Sequence, residues 1–292
     1  MKKKLYFIAA LLSLAFLSCE KPTETTELST FDQFGSTRSL FSVGDGARIR
    51  FSRGNLQYQA STGIWRFAEN QYDYIGEENR NIAQGYDGWI DLFGWGTSGW
   101  YSGAGSYLPY DTSTYYYEYN LGPHTGLSGD YAQADWGVYN AISNGGNEAG
   151  MWRTLTADEW SYLMGDSGVR AGKWARAIIG GRYKGVVILP DEWTTPEGLT
   201  FAVREGAGYA ENEYSEEEWA LMEKAGAVFL PAAGSRRGIE VSEVQEWGNY
   251  HSVTSGSESQ AMGMGFCDTM ALVGYGYKYK GYSVRLVRDY RR

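Results

Sequence analysis

The sequence is poor in the residues that bind transition metals and form disulfide bonds. Its 292 residues include two cysteines, Cys19 and Cys267, and two histidines, His124 and His251. Zinc and non-haem iron sites draw most of their ligands from these residue types, so neither a metal nor any other cofactor is expected. If Cys19 carries a lipid, as argued below, Cys267 has no intrachain disulfide partner.

Proline and positive charge are also scarce. The chain has 6 Pro against 39 Gly and 16% aromatic residues, a mixture typical of a loop-rich β protein. The formal net charge is −9; without the three lysines of the leader described next, 23 basic side chains face 35 acidic ones, a balance of −12. Such a surface repels phosphate backbones, so no nucleic-acid partner is expected.

The first nineteen residues predict an export signal with a lipid attachment site. Lys2–Lys4 precede the apolar run Leu5–Leu17, which is too short for a transmembrane helix. The run ends at Ser18-Cys19 and resembles a bacterial lipoprotein signal, in which residues 1–18 are a signal peptide and the cysteine is acylated. The resemblance implies an outer-membrane protein, lipid-anchored and displayed at the cell surface. An ordinary signal peptide with an unrelated cysteine is the alternative.

Behind the signal the sequence predicts a tether and one domain. Residues 19–36 are polar, rich in Thr and Glu and without periodicity, which is typical of a flexible tether. The domain is expected over 37–292. Residues 85–150 are rich in glycine and aromatic residues without a clear helix, which predicts a long insertion. Its tyrosines are a candidate exposed strip or pack in part on the domain: Tyr115, Tyr116, Tyr117 and Tyr119.

Two helices are predicted from their N-terminal caps. Thr156 with Glu159, and Ser215 with Glu218, fit capping boxes. The first helix is expected over about 157–164. The acidic residues that follow Ser215 then lie at the positive end of a helix dipole, where they favour capping over catalysis.

Strands are predicted from period-two alternation and from short apolar runs. Residues 47–51 alternate apolar and polar side chains, as a half-buried strand does. VVILP at 186–190 and AVFLP at 227–231 are expected to be central buried strands. The last strands are expected at 261–266, 270–275 and 282–290. In the last of them, Val284 and Leu286 alternate with polar residues, Arg285 among them. The expected fold class is α+β.

Three stretches resemble the C-type-lectin-like fold in its formylglycine-generating-enzyme, or sulfatase-modifying-factor, branch: TLTADEW at 154–160, FLPAAGSRRG at 229–238 and GYSVRLVRD at 281–289. From about Leu40 the chain is also similar to large paralogous lipoprotein families of gut Bacteroidetes, in which FSRGNLQYQ, WRFAENQYDYIG and DLFGWGTSG recur. The resemblance implies a single lectin-like domain with mixed and antiparallel sheets, about two main helices, long loops and a closing strand that pairs with the N-terminal region.

The chemistry of that branch does not carry over to these residues. Its generating enzymes use a pair of cysteines where this chain offers Cys267 alone, and its iron-dependent relatives need three histidines. Calcium-binding lectins use Trp-Asn-Asp, where this chain has Trp247-Gly248-Asn249. Asp191 and Glu192, the nearest acid–base candidates, are adjacent in an expected turn and point in opposite directions. No catalytic residue is identified, so the protein is not expected to be an enzyme.

Because no catalytic residue is identified, ligand binding is the function that we expect. We expect a non-enzymatic surface lipoprotein that binds an extracellular glycan or protein through loops on a rigid scaffold, with adhesion as its biological role. The candidate ligand-binding residues are Trp247, Asn249, Tyr250, His251, Tyr275 and Tyr277, beside the SVTSGSESQ loop at 252–260 and Tyr279. The alternatives are a carbohydrate-active or degenerate modifying enzyme and a structural component of a pilus or matrix.

Overall fold

The computed structural model describes residues 29–101, 103–111, 126–165, 167–203 and 208–290. Within these ranges the chain forms fifteen strands, three α-helices and four short 3-10 helices. Sheet predominates, and the mixed α+β class expected from the sequence is confirmed.

The strands are β1 (Phe41–Gly44), β2 (Ala47–Phe51), β3 (Leu56–Gln59), β4 (Ile64–Phe67), β5 (Trp89–Ile90), β6 (Trp174–Ile179), β7 (Tyr183–Ile188), β8 (Glu213–Tyr214), β9 (Val228–Pro231), β10 (Ser235–Arg237), β11 (Glu240–Ser242), β12 (Gly248–Ser255), β13 (Gln260–Phe266), β14 (Ala271–Tyr277) and β15 (Val287–Asp289). The α-helices are α1 (Trp136–Tyr139), α2 (Ala157–Leu163) and α3 (Glu216–Lys224). The 3-10 helices are Gly76–Arg80, Gly129–Ala134, Gly168–Arg170 and Tyr209–Glu211.

The described strands assemble into five small sheets. Their strand orders are β1-β2-β15, β4-β3-β5, β8-β6-β7-β9, β10-β11 and β12-β13-β14. The closing strand β15 pairs antiparallel with β2, with Val287 opposite Phe51. The first two strands and the last strand of the described residues therefore share one sheet, as expected for the closing strand.

Both predicted helix caps are confirmed. The Thr156 side chain accepts from the backbone N–H of Glu159, and the Glu159 side chain accepts from the backbone N–H of Thr156. Ser215 and Glu218 make the same reciprocal pair at the start of α3. The α2 helix also touches β12, since the Trp160 indole donates to the His251 carbonyl oxygen at 3.2 Å.

Three apolar clusters support these elements. The first is rich in Trp and takes Phe93, Trp95 and Trp136 from the expected insertion, so that stretch contributes side chains to the core. The second lies between α2, the β1-β2-β15 sheet and one face of the β12–β14 sheet. The third packs α3 against β6, β7 and β9.

The closing segment differs from its expected half-buried pattern. Regular strand is limited to β15, and all residues from Ser283 to Val287 are buried. Arg285 is fully buried, and its guanidinium donates to the Gln71 side chain at 2.7 Å. Burial lowers its pKa to about 10. The segment runs between two layers of the fold, so both of its faces are covered.

One of the two apolar runs is not central. VVILP supplies β7, which lies inside its sheet, whereas AVFLP supplies β9 at the end of the strand order. The free edge of β9 is covered by Gln71, whose amide donates to the Ala227 carbonyl oxygen and accepts from the Phe229 N–H. A side chain thus replaces a neighbouring strand at this edge. The run is apolar throughout because both faces of the strand are buried, with Val228 and Leu230 in the second cluster and Phe229 in the third.

The folded part begins before residue 37, the expected boundary. Asp32 accepts from the Ser36 hydroxyl at 2.6 Å and lies 3.8 Å from the Arg50 guanidinium and 3.4 Å from that of Arg288. The last residues of the expected tether therefore contact the domain.

Several predictions fall outside the described residues. These are the signal peptide, Cys19, most of the tether, His124 and the run of tyrosines from Tyr115 to Tyr119. Among the helices that the structure does describe, none has the length and apolar character to cross a membrane.

Candidate functional site

The predicted ligand-binding residues centre on the sheet of β12, β13 and β14. Two tight turns connect its strands. In the first, the Gln260 N–H donates to the Ser257 hydroxyl at 3.1 Å, and in the second the Cys267 N–H donates to the Met270 carbonyl oxygen at 2.8 Å. The β13–β14 pairing runs without a shift from Gln260 opposite Tyr277 to Phe266 opposite Ala271.

This pairing creates two faces of different character. Alternate residues of paired strands point to the same side. One side, here called the core face, carries Tyr250, Met264 and Phe266, which are all buried. The other, the trough face, carries three rows across the strands: Asn249–Gly265–Leu272, His251–Gly263–Gly274 and Ala261–Gly276.

Four glycines place no side chain of their own on the trough face, although the Tyr282 ring lies close to Gly276 and the Leu272 side chain close to Gly274. None of Gly263, Gly265, Gly274 and Gly276 has a positive φ, so backbone conformation does not require glycine there. Gly263 is required sterically, because a Cβ would lie 2.4 Å from the Tyr250 carbonyl oxygen. At Gly265 the nearest atom would be 3.7 Å away, an ordinary contact. Glycine inside a strand costs about 0.5–1 kcal/mol relative to alanine and often marks close approach by a ligand.

The glycine floor and its walls form a shallow trough. Its cavity volume is about 200 Å³, below the roughly 300–1,000 Å³ of sites that enclose a whole small molecule. Trp247, Tyr282, Met270 and Leu272 contribute apolar walls, and no charged residue lines it. Leu272 is 48% exposed despite its apolar side chain. The trough therefore suits an uncharged group about the size of one ring or side chain.

His251 lies at the inner end of the trough and is locked there. Its Nε2 is 2.7 Å from the Phe93 carbonyl oxygen, and its ring stacks on Trp136 and lies against Tyr282. Burial lowers its pKa to about 4, although the bond to Phe93 acts the other way. The neutral ring must donate from Nε2 to the carbonyl oxygen, which leaves Nδ1 as an acceptor.

Asn249 and Trp247 stand at the open end. The Asn249 backbone is fixed, since its carbonyl oxygen accepts from the Ser283 N–H at 2.9 Å. Its side-chain amide makes only a long contact of 3.4 Å to the Gly234 carbonyl oxygen. Trp247 is partly buried and lines the trough from the segment before β12. An amide and an indole at the mouth offer a hydrogen-bonding group beside an apolar plane.

Five of the six predicted residues border the trough and Tyr277 does not; of the five, Tyr250 and Tyr275 have their side chains on the opposite face of the sheet. Trp247, Asn249 and His251 line the trough. Tyr250 belongs to the core face, where its hydroxyl donates to the Pro231 carbonyl oxygen at 2.9 Å. The register places the Tyr275 side chain on the face opposite Gly274, although its strand borders the trough.

Tyr277 lies further along β14, where it stacks on Tyr279 at 5.2 Å. It does not line the trough. The expected loop at 252–260 is also shorter than predicted, because β12 continues to Ser255. The candidate surface is thus a sheet face whose walls come in part from the segments beside the strands, which carry Trp247, Met270 and Tyr282.

The glycine floor was not predicted from the sequence, nor were three of the wall residues, Met270, Leu272 and Tyr282. A signal for the floor was present in two consecutive predicted strands. AMGMGF at 261–266 and GYG at 274–276 carry glycine at every second position, which places all four on one face once the hairpin register is known.

Asp191, the acid–base candidate considered in the sequence, has a structural role outside the trough. Asp191 accepts from the Ser42 N–H and hydroxyl and lies 3.3 Å from the Arg170 guanidinium, so it joins β1 to the segment after β7. In the part of the chain that the structure describes, no group of three or more His, Cys, Asp or Glu side chains is placed to hold a metal ion.

Comparisons of the chain with protein-family models, with curated proteins and with solved structures find no match.

Proposed function

We propose that this protein is a non-enzymatic ligand-binding protein with a lectin-like domain, held at the outer membrane by a lipid on Cys19 and facing the cell exterior. The observation that carries the proposal is the glycine floor. Gly265 leaves the trough face open where neither backbone conformation nor neighbouring atoms require glycine, and at Gly274 a Cβ would meet only the flexible end of the Leu272 side chain, at 2.7 Å. A bare sheet face bordered by exposed apolar side chains is a feature of binding sites rather than of structural sheets.

The lining of the trough favours an uncharged ligand group. Trp247, Tyr282 and Leu272 offer apolar contact, and Asn249 and His251 offer the polar contacts. A sulfate or carboxylate would lose its hydration here without gaining a cation. A sugar ring or an uncharged side chain of a protein meets both requirements, so the ligand is a glycan or a protein.

A binding role also agrees with the state of His251. General acid–base catalysis works best with a pKa near the operating pH. Burial holds the pKa of His251 at about 4, and its Nε2 proton is used by the Phe93 carbonyl oxygen. The ring is therefore suited to positioning a ligand rather than to exchanging protons with it.

The test is a glycan array probed with the full chain in detergent, followed by the Gly265→Val variant. We expect binding to an uncharged glycan class and a loss of at least about tenfold in Gly265→Val, because the new side chain fills the floor. Gly85→Val is the matched control. Gly85 has open space around its Cβ position, does not line the trough and has no positive φ.

Three results would count against the proposal. Equal affinity of Gly265→Val and Gly85→Val would remove the trough as the site. Binding restricted to sulfated or sialylated glycans would contradict an uncharged ligand. Cleavage of the bound glycan would contradict a non-enzymatic role. Binding to no glycan would favour a protein ligand.

A further inference from the structure

The outer edge of β14 differs from the other long sheet edges of the described chain. The edge strands with four or more residues are β1, β4, β9, β12 and β14. At four of them a residue from elsewhere in the chain bonds to the backbone of the strand: Asp191 at β1, Asn144 at β4, Gln71 at β9 and Ser283 at β12. Proteins cover sheet edges in this way because an open edge accepts another strand.

Two hydrogen bonds define which backbone groups of β14 point outward. The Cys267 N–H donates to the Met270 carbonyl oxygen at 2.8 Å, and the Lys278 N–H donates to the Ser259 carbonyl oxygen at 2.9 Å. These bonds lie at the two ends of the β13–β14 pairing, and hydrogen-bonded pairs alternate along an antiparallel ladder. The N–H and C=O groups that point away from β13 therefore belong to four alternate residues: Ala271, Val273, Tyr275 and Tyr277.

This outer edge is open and has none of the features that discourage strand addition. Among the described residues, only Lys280 bonds to the outward groups, from its N–H to the Tyr277 carbonyl oxygen at 3.0 Å. β14 has seven residues, no proline and no charged side chain, and its pairing with β13 has no bulge. Three of its apolar or aromatic side chains are exposed: Leu272, Tyr275 and Tyr277.

The side chains of β14 are complementary in size to those of a second copy. Among antiparallel two-fold registers that pair outward groups with outward groups, the one centred on Gly274 uses all four residues. The resulting pairs, with one residue from each copy, are Val273 with Tyr275, Ala271 with Tyr277 and Leu272 with Gly276. Each exposed bulky side chain then faces a smaller one, and an aromatic ring beside a β-branched side chain is a favourable cross-strand pair.

The charges that flank β14 are complementary as well. Asp268 precedes the strand and Lys280 follows it, whereas the strand itself is uncharged. Antiparallel pairing brings the Asp268 end of one copy beside the Lys280 end of the other, so opposite charges meet at both ends of the contact. Parallel pairing would bring like charges together, which is unfavourable.

We infer that two copies of this chain associate through antiparallel pairing of β14 about a two-fold axis at Gly274, which joins their β12-β13-β14 sheets into one sheet of six strands. An axis at this position is perpendicular to the sheet, so the trough faces of both copies lie on the same side. The assembly presents two neighbouring troughs to one extended ligand. This association goes beyond the proposed function and does not depend on it.

The first test is the oligomeric state of the full chain in detergent, measured by analytical ultracentrifugation over a concentration series with micelles in excess over protein. We expect a dimer that dissociates on dilution, because the contact is confined to one strand from each copy. Tyr275→Pro removes an outward N–H that the β13–β14 ladder does not use. It is expected to raise the dissociation constant at least about tenfold, since each copy loses one hydrogen bond.

Tyr275→Phe is the matched control. It keeps the outward N–H and the aromatic ring, and the Tyr275 side chain is 65% exposed, so the dissociation constant should stay within about twofold of the native value. Far-UV circular dichroism checks that both variants are folded.

A second test reads the register directly by oxidative cross-linking in a Cys267→Ser background. The axis places Gly274 opposite its own counterpart in a pair without hydrogen bonds, where Cα atoms lie about 4.5 Å apart and a disulfide can form. Gly274→Cys is therefore expected to cross-link two chains. Leu272→Cys is the control on the same strand and face, because its two copies lie roughly 14 Å apart and cannot be bridged.

The outcomes decide the inference without affecting the proposed function. A monomer at every concentration overturns it and leaves the edge to a different partner. A dimer that Tyr275→Pro does not weaken, or equal cross-linking of Gly274→Cys and Leu272→Cys, places the contact elsewhere and also overturns it. Gly265→Val tests the trough within one copy, so its effect on glycan binding is separate from each of these results.

Discussion

The two faces of the β12–β14 sheet come from the same three strands but differ in nearly every property. The core face carries Tyr250, Met264 and Phe266, which pack beneath α2 in the second apolar cluster. The trough face carries glycines beside exposed Leu272. Adjacent residues of one strand therefore serve different purposes: one set stabilises the sheet and the other leaves it open.

This difference shows how a small sheet can keep one face open without losing the packing that holds it. A strand whose residues all packed inward would have no surface for a ligand, and one with glycine on both faces would lack the burial that holds it. Here the side chains of the core face fix the register. The trough face can then carry glycine at Gly265 and Gly274 without loss of the fold.

The largest expected effect is on the core face. Phe266 is fully buried, so Phe266→Ala is expected to lower the free energy of unfolding by about 3–5 kcal/mol through lost burial and a cavity. Leu272→Ala, on the trough face of the neighbouring strand, is expected to cost less than about 1 kcal/mol while weakening ligand binding. Urea unfolding measures both. Similar losses in the two variants would contradict the division between the faces.

The next effect concerns acid stability at the inner end of the trough. The pKa of His251 is about 4 in the folded chain and 6.5 in the reference state, so the unfolded chain binds a proton first as the pH falls. Stability contributed by neutral His251 is complete above pH 6.5 and is lost between pH 6.5 and about 4. At about 1.36 kcal/mol for each unit of pKa, the loss is roughly 3 kcal/mol.

A variant is needed to isolate that loss. Burial raises the pKa of Asp91 and of Asp135 to about 6, and these carboxyl groups act with the opposite sign, adding stability as the pH falls. The measurement is therefore the unfolding free energy of the native chain minus that of His251→Gln, across this pH range. This difference in unfolding free energy should become smaller as the pH falls from 6.5 to about 4. A constant difference would show that His251 is not buried in its neutral form.

The smallest expected effect is at the end of β14. Tyr277 is 43% exposed and does not line the trough, so Tyr277→Ala is expected to change the free energy of unfolding by less than about 0.5 kcal/mol. Its affinity for a bound glycan should stay within about twofold of the native chain, measured by calorimetry. A large loss of affinity would extend the site along β14 and away from the glycine floor.

The helix caps and several strands were predictable, because they depend on residues close together in the sequence. The capping boxes at Thr156 and Ser215 follow from side chains three residues apart, and the helix expected over 157–164 ends within one residue of the observed α2. The strands expected at 261–266 and 270–275 correspond to β13 and β14. Each of these depends on local hydrogen bonds or on residue preference within a few positions.

The site was predictable only in part. Trp247, Asn249 and His251 lie together at one surface, whereas the Tyr250 side chain, which was predicted to join them, points into the core although its strand borders the trough. Neighbouring residues of a strand point to opposite faces, so a contiguous block could not all contact one ligand. The glycine floor required the pairing of β13 with β14, which the pattern of glycines alone does not give.

By itself, the sequence determined the α+β class, the helix starts and the shortage of metal-binding residues, because these depend on composition and on local spacing. Only the tertiary structure decided which face of a strand is covered and that Arg285 is buried beside Gln71. Burial depends on contacts between residues far apart in the chain. The sequence pattern of one segment therefore does not predict which distant residues pack against it.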